Sequence, residues 1–149
     1  MRPIAIAIAI VTAASPVGAA PVESKQCSQQ EAIEAEATAS SLVTWPDILG
    51  SFKQFGHCDD GAIAEGYSAS IVGMLADRWG DVGELDKVLS TDPAFRTFVL
   101  RHINVTAGQA EFNRLVANAA VRCPQRSAAT CEAILNRARE LQRELQQRR

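Results

Sequence analysis

The sequence predicts an all-α protein: a compact bundle of about six or seven short helices, stabilised by disulfides and preceded by a signal peptide. Three observations indicate this class. Helix caps, apolar residues at helical spacing and Gly or Pro stops recur along the chain, whereas no five-residue window after residue 20 reads clearly as a β-branched, alternating strand. Four cysteines make an even count. The 149 residues, 47% hydrophobic and 21% charged, suit one globular domain.

The first twenty residues have the order of a secretory signal peptide. A basic start, an apolar run of eleven residues and small residues follow one another, and we expect cleavage near Ala19/Ala20. A bilayer-spanning helix needs about 20 apolar residues, and Pro16 interrupts this run too early. We therefore predict a signal peptide over 1–20 and a single helical domain over 21–149, periplasmic or secreted, without a stable membrane anchor.

The helices before the middle of the chain have recognisable starts. Ser28 with Glu31 forms a capping box, and Thr44 caps the next helix. Asp59 or Asp60 begins a longer helix that we expect to run to about residue 79. Its apolar face is formed by large side chains at helical spacing: Ile63, Tyr67, Ile71, Met74, Leu75 and Trp79.

Four further helices are predicted toward the C-terminus, after the stop at Gly80. Glu84 and Gln109 stand where the third residue of a capping box is expected, and Pro124 breaks the chain before the last helix. The expected starts are Asp81, Thr91-Asp92 followed by Pro93, Thr106 and Ser127.

The four cysteines are predicted to form two disulfides. An even number in an exported protein indicates structural bridges. Three pairings are possible, and we favour Cys27–Cys58 and Cys123–Cys131, because the second closes a short loop around Pro124. A metal site or a reactive thiol is the competing interpretation, but the chain has no C-x-x-C pair and no zinc-finger spacing. We predict no metal and no cofactor.

Small residues line one side of the long helix, at Ala62, Gly66, Ser70 and Gly73. A glycine inside a helix costs about 1 kcal/mol relative to alanine, so two of them need a compensation. One interpretation is that a neighbouring helix approaches closely here. The other is a groove that admits a ligand or a segment of a partner.

Charge is distributed unevenly. Residues 57–92 carry eight acids and two bases, whereas residues 93–149 carry ten Arg and four Glu. Two solvated surfaces of opposite sign that help the halves pack would explain this. The functional alternative is an acidic patch that docks on a basic cleft of a partner. The candidate partner-binding residues are Asp59, Asp60, Glu65, Gly66, Ser70, Gly73, Asp77, Asp81 and Glu84.

No residue is predicted to be catalytic. The run His57-Cys58-Asp59-Asp60 is interpreted as a disulfide beside a capped helix start. His102 is expected to be a partly buried, hydrogen-bonded residue on the edge of an apolar face. Carboxylate pairs such as Asp60 with Glu65 are a weak glycosidase signal among 17 acids. The chain has no G-x-S-x-G, H-E-x-x-H or Walker motif.

These observations predict a small exported binding or inhibitory protein rather than an enzyme. Its partner is expected to be another protein, such as a periplasmic or imported enzyme, because a net charge of −2 and a pI of about 5.7 argue against nucleic acid. At the level of architecture alone, the outline resembles that of immunity proteins that neutralise a toxin enzyme. The alternatives are a periplasmic acid or stress chaperone and a small periplasmic hydrolase.

Overall fold

The computed structural model describes residues 25–148, so the predicted signal peptide and its cleavage point lie outside the described residues. Within that range the chain is all-α, without a strand, as predicted. Short 3₁₀ turns connect several of its seven α-helices. The helices are α1 (Gln29–Ala39), α2 (Trp45–Phe55), α3 (Gly61–Asp77), α4 (Val82–Leu89), α5 (Pro93–Arg101), α6 (Gln109–Val121) and α7 (Ala128–Gln147).

Several helix starts follow the predicted capping chemistry. Ser28 and Glu31 form the reciprocal capping box of α1, and the Thr44 side chain accepts from the backbone N–H of Asp47 at the start of α2. Asp92 caps α5 in the same way. These polar side chains satisfy backbone donors that the first helical turn leaves without partners. The local sequence therefore determines where these helices begin.

One predicted start is wrong: Gly108, not Thr106, precedes α6, and no side chain caps that helix. Asp81 and Ser127 do precede α4 and α7 as predicted, but neither side chain makes a capping hydrogen bond. Both have backbone angles outside the extended region that a side-chain cap needs, because a 3₁₀ turn leads directly into each helix. The long helix α3 also ends earlier than expected, at Asp77.

Helix α3 is the centre of the bundle, with α1 and α6 as its main neighbours. Its residues Tyr67, Ile71, Val72 and Leu75 are almost completely buried. Large apolar side chains from the surrounding helices and loops complete one core, including Trp45, Ile48, Leu85, Phe95, Ile103, Phe112, Leu115 and Ile134. Within residues 25–148, no helix combines the length and hydropathy that crossing a bilayer requires.

Polar side chains from α6 and its neighbours close the C-terminal end of α3. The buried Asn118 amide donates to the carbonyls of Leu75, at 3.0 Å, and Ala76, at 2.9 Å. The indole of Trp79 donates to the carbonyl of Arg122 at 2.9 Å. The last carbonyls of a helix lack partners within the helix, so Asn118 satisfies two of them at the end of α3, and Trp79 satisfies the carbonyl that follows α6.

Both disulfides have the favoured pairing. Cys27–Cys58 ties the segment before α1 to the 3₁₀ turn that precedes α3, and Cys123–Cys131 ties the end of α6 to α7. The first bridge spans 31 residues and the second spans 8. In the chain-entropy account, they stabilise the fold by about 3–4 and about 2–3 kcal/mol respectively. The described chain has no free cysteine.

The close approach of α1 to α3 depends on two small residues of α3. A Cβ atom at Gly66 would lie 2.8 Å from the Cβ atom of Ala39 and 3.0 Å from the backbone nitrogen of Ser40. One turn further along, the Ser70 hydroxyl donates to the Ala39 carbonyl at 2.7 Å and accepts from the Leu42 N–H at 3.1 Å. At these two positions, helix packing explains the small side chains. Gly73 differs, because no atom would come within 4 Å of a Cβ atom there.

Gly66 and Gly73 therefore make a matched test of the two interpretations of the small-residue strip. Gly66→Ala is expected to lower the free energy of unfolding by about 1–3 kcal/mol, because the added methyl forces α1 away. Gly73→Ala is expected to raise it by up to about 1 kcal/mol, because alanine favours the helix and meets open space. Urea unfolding followed by circular dichroism measures both. Equal effects of the two variants would contradict this account.

Candidate functional site

A polar cleft of about 300 Å³ lies between the start of α3 and the end of α5. The loop from α5 to α6 forms one of its walls. The lining residues are Asp59, Ala64, Glu65, Ser68, Arg101, His102, Asn104 and Thr106. They come from two separate segments of the chain, residues 59–68 and 101–106, which only the tertiary structure brings together. We call this surface the α3–α5 cleft.

A chain of four hydrogen-bonded side chains lies behind the α3–α5 cleft. His102, which is 3% exposed, is at its centre. The Nδ1 atom of His102 is 3.0 Å from the Ser68 hydroxyl, and its Nε2 atom is 2.9 Å from Oδ2 of Asp59. The amide of Asn104 donates to the same Ser68 hydroxyl at 2.9 Å. These bonds connect α3, α5 and the following loop.

The hydrogen-bond partners determine which nitrogen of His102 carries the proton. A carboxylate only accepts, so the proton is assigned to Nε2, which faces Asp59. The lone pair of Nδ1 therefore faces Ser68, whose hydroxyl can donate either to it or to the Ala64 carbonyl at 2.9 Å. Hydroxyl, imidazole and carboxylate in this order make up the activated-nucleophile arrangement of many hydrolases. Here the hydroxyl residue is only 2% exposed.

One carboxylate oxygen of Asp59 interacts with two side chains, one of them charged and the other neutral. Its side chain is 2% exposed, and Oδ2 accepts from both His102 and the guanidinium of Arg101. The other oxygen, Oδ1, has no hydrogen-bond partner within the described chain. Arg101 itself is 59% exposed, so a buried carboxylate anchors a surface cation. Asp60 alone caps α3, where its carboxylate accepts from the Gly61 N–H at 2.8 Å.

Burial keeps His102 neutral. Loss of hydration lowers the pKa of His102 to about 4, and the neighbouring charge of Arg101 acts in the same direction. The rings of Phe98 and Tyr67 surround the imidazole, at centroid distances of 4.5 and 5.7 Å. Arg101 pairs with Asp59 and lies beside His102, so a proton on His102 would add a second positive charge where little water reaches it.

The predicted partner-binding residues do not form one surface. Asp59 and Glu65 line the α3–α5 cleft. Ser70, Gly73 and Asp77 line a second cleft, of about 290 Å³, at the other end of α3. Gly66, Asp60, Asp81 and Glu84 line neither of these two clefts, and Gly66 is covered by α1.

Several acids of the chain are neutralised by its own arginines. Beside the pair at Asp59, the Arg114 guanidinium donates to both oxygens of Asp77, at 3.0 and 3.3 Å. These two pairs join the acidic half to the basic half, as the packing interpretation of the charge asymmetry expects. Asp81 pairs within its own half, with Arg78 at 3.1 Å. The acids of the predicted set that remain exposed without a described ion pair are Asp60, Glu65 and Glu84.

One other cluster has the composition of a metal site. Within residues 25–148, the possible ligand atoms of Glu31, His57 and Cys58 lie within 4.8 Å of one another. Cys58 is bonded to Cys27 and has no thiolate to offer. Hydrogen bonding from Lys25 holds the pKa of the Glu31 carboxyl well below its usual range. The cluster therefore offers two ligand atoms, too few for a structural zinc site.

Sequence reasoning anticipated part of the cleft and missed the rest. His102 is buried and hydrogen-bonded, as expected, although it is more completely buried than predicted. Ser68, Asn104 and Arg101 were not singled out. The sequence does contain one signal, which is Ser68 beside Tyr67 on the buried side of α3. A buried hydroxyl needs a hydrogen-bond partner, so its position there indicates a polar neighbour. The partner lies 34 residues away, where no local pattern could indicate it.

The chain matches no family model, no curated protein and no solved structure. Its class is therefore stated in structural terms. It is a disulfide-stabilised all-α protein with a polar cleft in front of a buried Asp–His–Ser network.

Protonation of His102 is expected to make the fold sensitive to acid. The pKa is about 4 in the folded protein and about 6.5 in an unfolded chain. The unfolded state therefore takes up the proton first as the pH falls through 6.5. The free energy of unfolding should decrease by up to about 1.4 kcal/mol per pH unit until the pH approaches 4.

Urea unfolding of the wild type and His102→Gln between pH 7.5 and 4.5 tests this effect. The His102→Gln variant should lose part of the slope of stability against pH that the wild type shows. Carboxylates contribute to both curves, so the difference between the two proteins is the measured quantity. An unchanged slope in His102→Gln would show that this histidine is not the group responsible.

Proposed function

We propose that the chain is an exported binding or inhibitory protein. It binds a partner protein through the surface around the α3–α5 cleft. One observation supports this most directly: the exposed guanidinium of Arg101 is anchored by the buried carboxylate of Asp59. Binding normally costs the entropy of ordering long side chains at an interface. A surface arginine that is already ordered avoids part of that cost, and arginine is enriched among the residues that dominate interface energetics.

The surroundings of the anchor support the same function. The Cys27–Cys58 disulfide ends one residue before Asp59, so a covalent bridge restrains the segment that carries the anchor. His102 holds the same carboxylate from the α5 side. A binding face that is rigid before contact loses little freedom on association. A small bundle with two disulfides provides such a face.

An oxidising compartment is the natural setting for this design. Disulfides persist in the periplasm and outside the cell, and they are rare in the cytosol. We therefore keep the proposal of a signal peptide over residues 1–20 and a periplasmic or secreted mature protein. The proposed partner is an enzyme of that compartment or one imported into it, which includes a toxin enzyme that an immunity protein would neutralise.

A small hydrolase is the second candidate, because the Ser68–His102–Asp59 arrangement specifically favours it. The Nδ1 lone pair faces the hydroxyl, and the Asn104 amide, 2.9 Å from that hydroxyl, could donate to an oxyanion formed there. Two properties weaken this candidate. The hydroxyl residue is 2% exposed, and an imidazole with a pKa of about 4 is a weak general base near pH 7.

The binding function is tested by affinity capture from extracts of the source cells, with the tagged, oxidised protein at low and moderate salt. We expect one stoichiometric partner whose binding weakens as salt increases. Arg101→Gln should reduce the affinity about 30-fold or more, in line with loss of a central anchor, whereas Arg143→Gln on α7 should not. Failure to recover a specific partner at either salt concentration would count against this function.

The hydrolase candidate makes a different prediction at Ser68. Incubation with a fluorophosphonate, followed by peptide mass spectrometry, should give an adduct on Ser68 if its hydroxyl is activated. The Ser68→Ala variant, checked for folding by circular dichroism, should give none, and Ser51 serves as an internal serine control. An unmodified Ser68 after prolonged incubation would remove this candidate.

A further inference from the structure

We propose that the α3–α5 cleft accepts a cationic side chain, lysine or arginine, that the partner protein presents beside Glu65. The inference rests on the proposed function for its partner, but the site itself can be tested without one. Three properties of the cleft carry it: its charge, an unsatisfied acceptor behind it and its size.

The charge of the cleft is negative. Asp59 and Glu65 contribute two carboxylates and Arg101 one guanidinium, and His102 is neutral near pH 7 because burial lowers its pKa to about 4. Arg101 is already engaged with Asp59. Glu65 is exposed, and no described residue forms an ion pair with it. The cleft therefore has one carboxylate without a counter-charge.

The second property is independent of Glu65. Oδ1 of Asp59 has no donor within the described chain, although the side chain is 2% exposed. A buried acceptor without a partner destabilises the protein, and more strongly when the group is charged. Its charge also acts across a distance, since the field of a buried group is less screened than that of a surface group. A cation in the cleft would lie in this field and lower its cost.

The third property is size. About 300 Å³ is the lower limit of ordinary small-molecule sites, and it suits the end of one long side chain. Thr106, which is exposed and lines the cleft, adds a hydroxyl that can accept a hydrogen bond from an ammonium or guanidinium group. A metal ion fits less well, because the α3–α5 cleft residues do not form a group of three close acidic or imidazole ligands in the described chain.

The site is tested with a matched pair of small probes on the purified protein with both disulfides formed. N-acetyl-arginine amide carries the guanidinium, and N-acetyl-citrulline amide has nearly the same shape without the charge. We expect the arginine probe to shift backbone amide resonances of residues 59–68 and 101–106 saturably. Glu65→Gln should weaken that binding about fivefold, and Glu84→Gln, which removes an exposed acid on α4, should leave it unchanged.

Three results would overturn the inference: no saturable shift, equal binding of the citrulline probe, or equal binding by Glu65→Gln. Calcium chloride that reproduces the same shifts would also overturn it, because any cation would then suffice. The two proposals fail separately. If a partner is captured, its affinity is unchanged by Glu65→Gln and the arginine probe gives no saturable shift, the binding function is supported but this site is not. A probe that binds while no partner is captured leaves the site standing without that function.

Discussion

The site depends on how one carboxylate, that of Asp59, is stabilised away from water. A buried charge is tolerated only when it is paired and hydrogen-bonded. Arg101 and His102 provide that pairing from the end of α5, and the Cys27–Cys58 disulfide restrains the residue just before it. The start of α3 and the end of α5 are therefore held together by the same contacts that shape the cleft.

The same contacts bear on whether the buried polar side chains have a structural or a catalytic role. His102 satisfies Ser68 and Asp59 at once, which explains why three polar side chains can be buried together without a large penalty. An arrangement that is this well satisfied needs no substrate to account for it. The groups that remain unsatisfied or exposed are Oδ1 of Asp59, the Glu65 carboxylate and part of Arg101. Such groups suit the recognition of another molecule better than bond cleavage, which is why we rank the binding proposal above the hydrolase proposal.

Individual residues show which features of the fold the neighbouring sequence is able to predict. The caps at Ser28, Thr44 and Asp92 agree with the structure, because local hydrogen bonds determine them. The favoured cysteine pairings are also confirmed, although the sequence left three pairings possible. The start of α6 was placed wrongly at Thr106, since the prediction weighed side-chain caps and overlooked Gly108, whose φ of +123° turns the chain into the helix. Neighbouring residues alone did not reveal that turn.

The sequence by itself was sufficient for the helical class and most helix starts, because periodicity and capping act over a few residues. It favoured one of three possible disulfide pairings, and the tertiary structure decided between them. It could not separate Gly66, pressed against Ala39, from Gly73, which meets open space, although both belong to one strip. Nor could it show that the Asp59 carboxylate bonds to His102, 43 residues further along. Both outcomes depend on which helices become neighbours, and that follows from burying all the apolar faces at once rather than from any one segment.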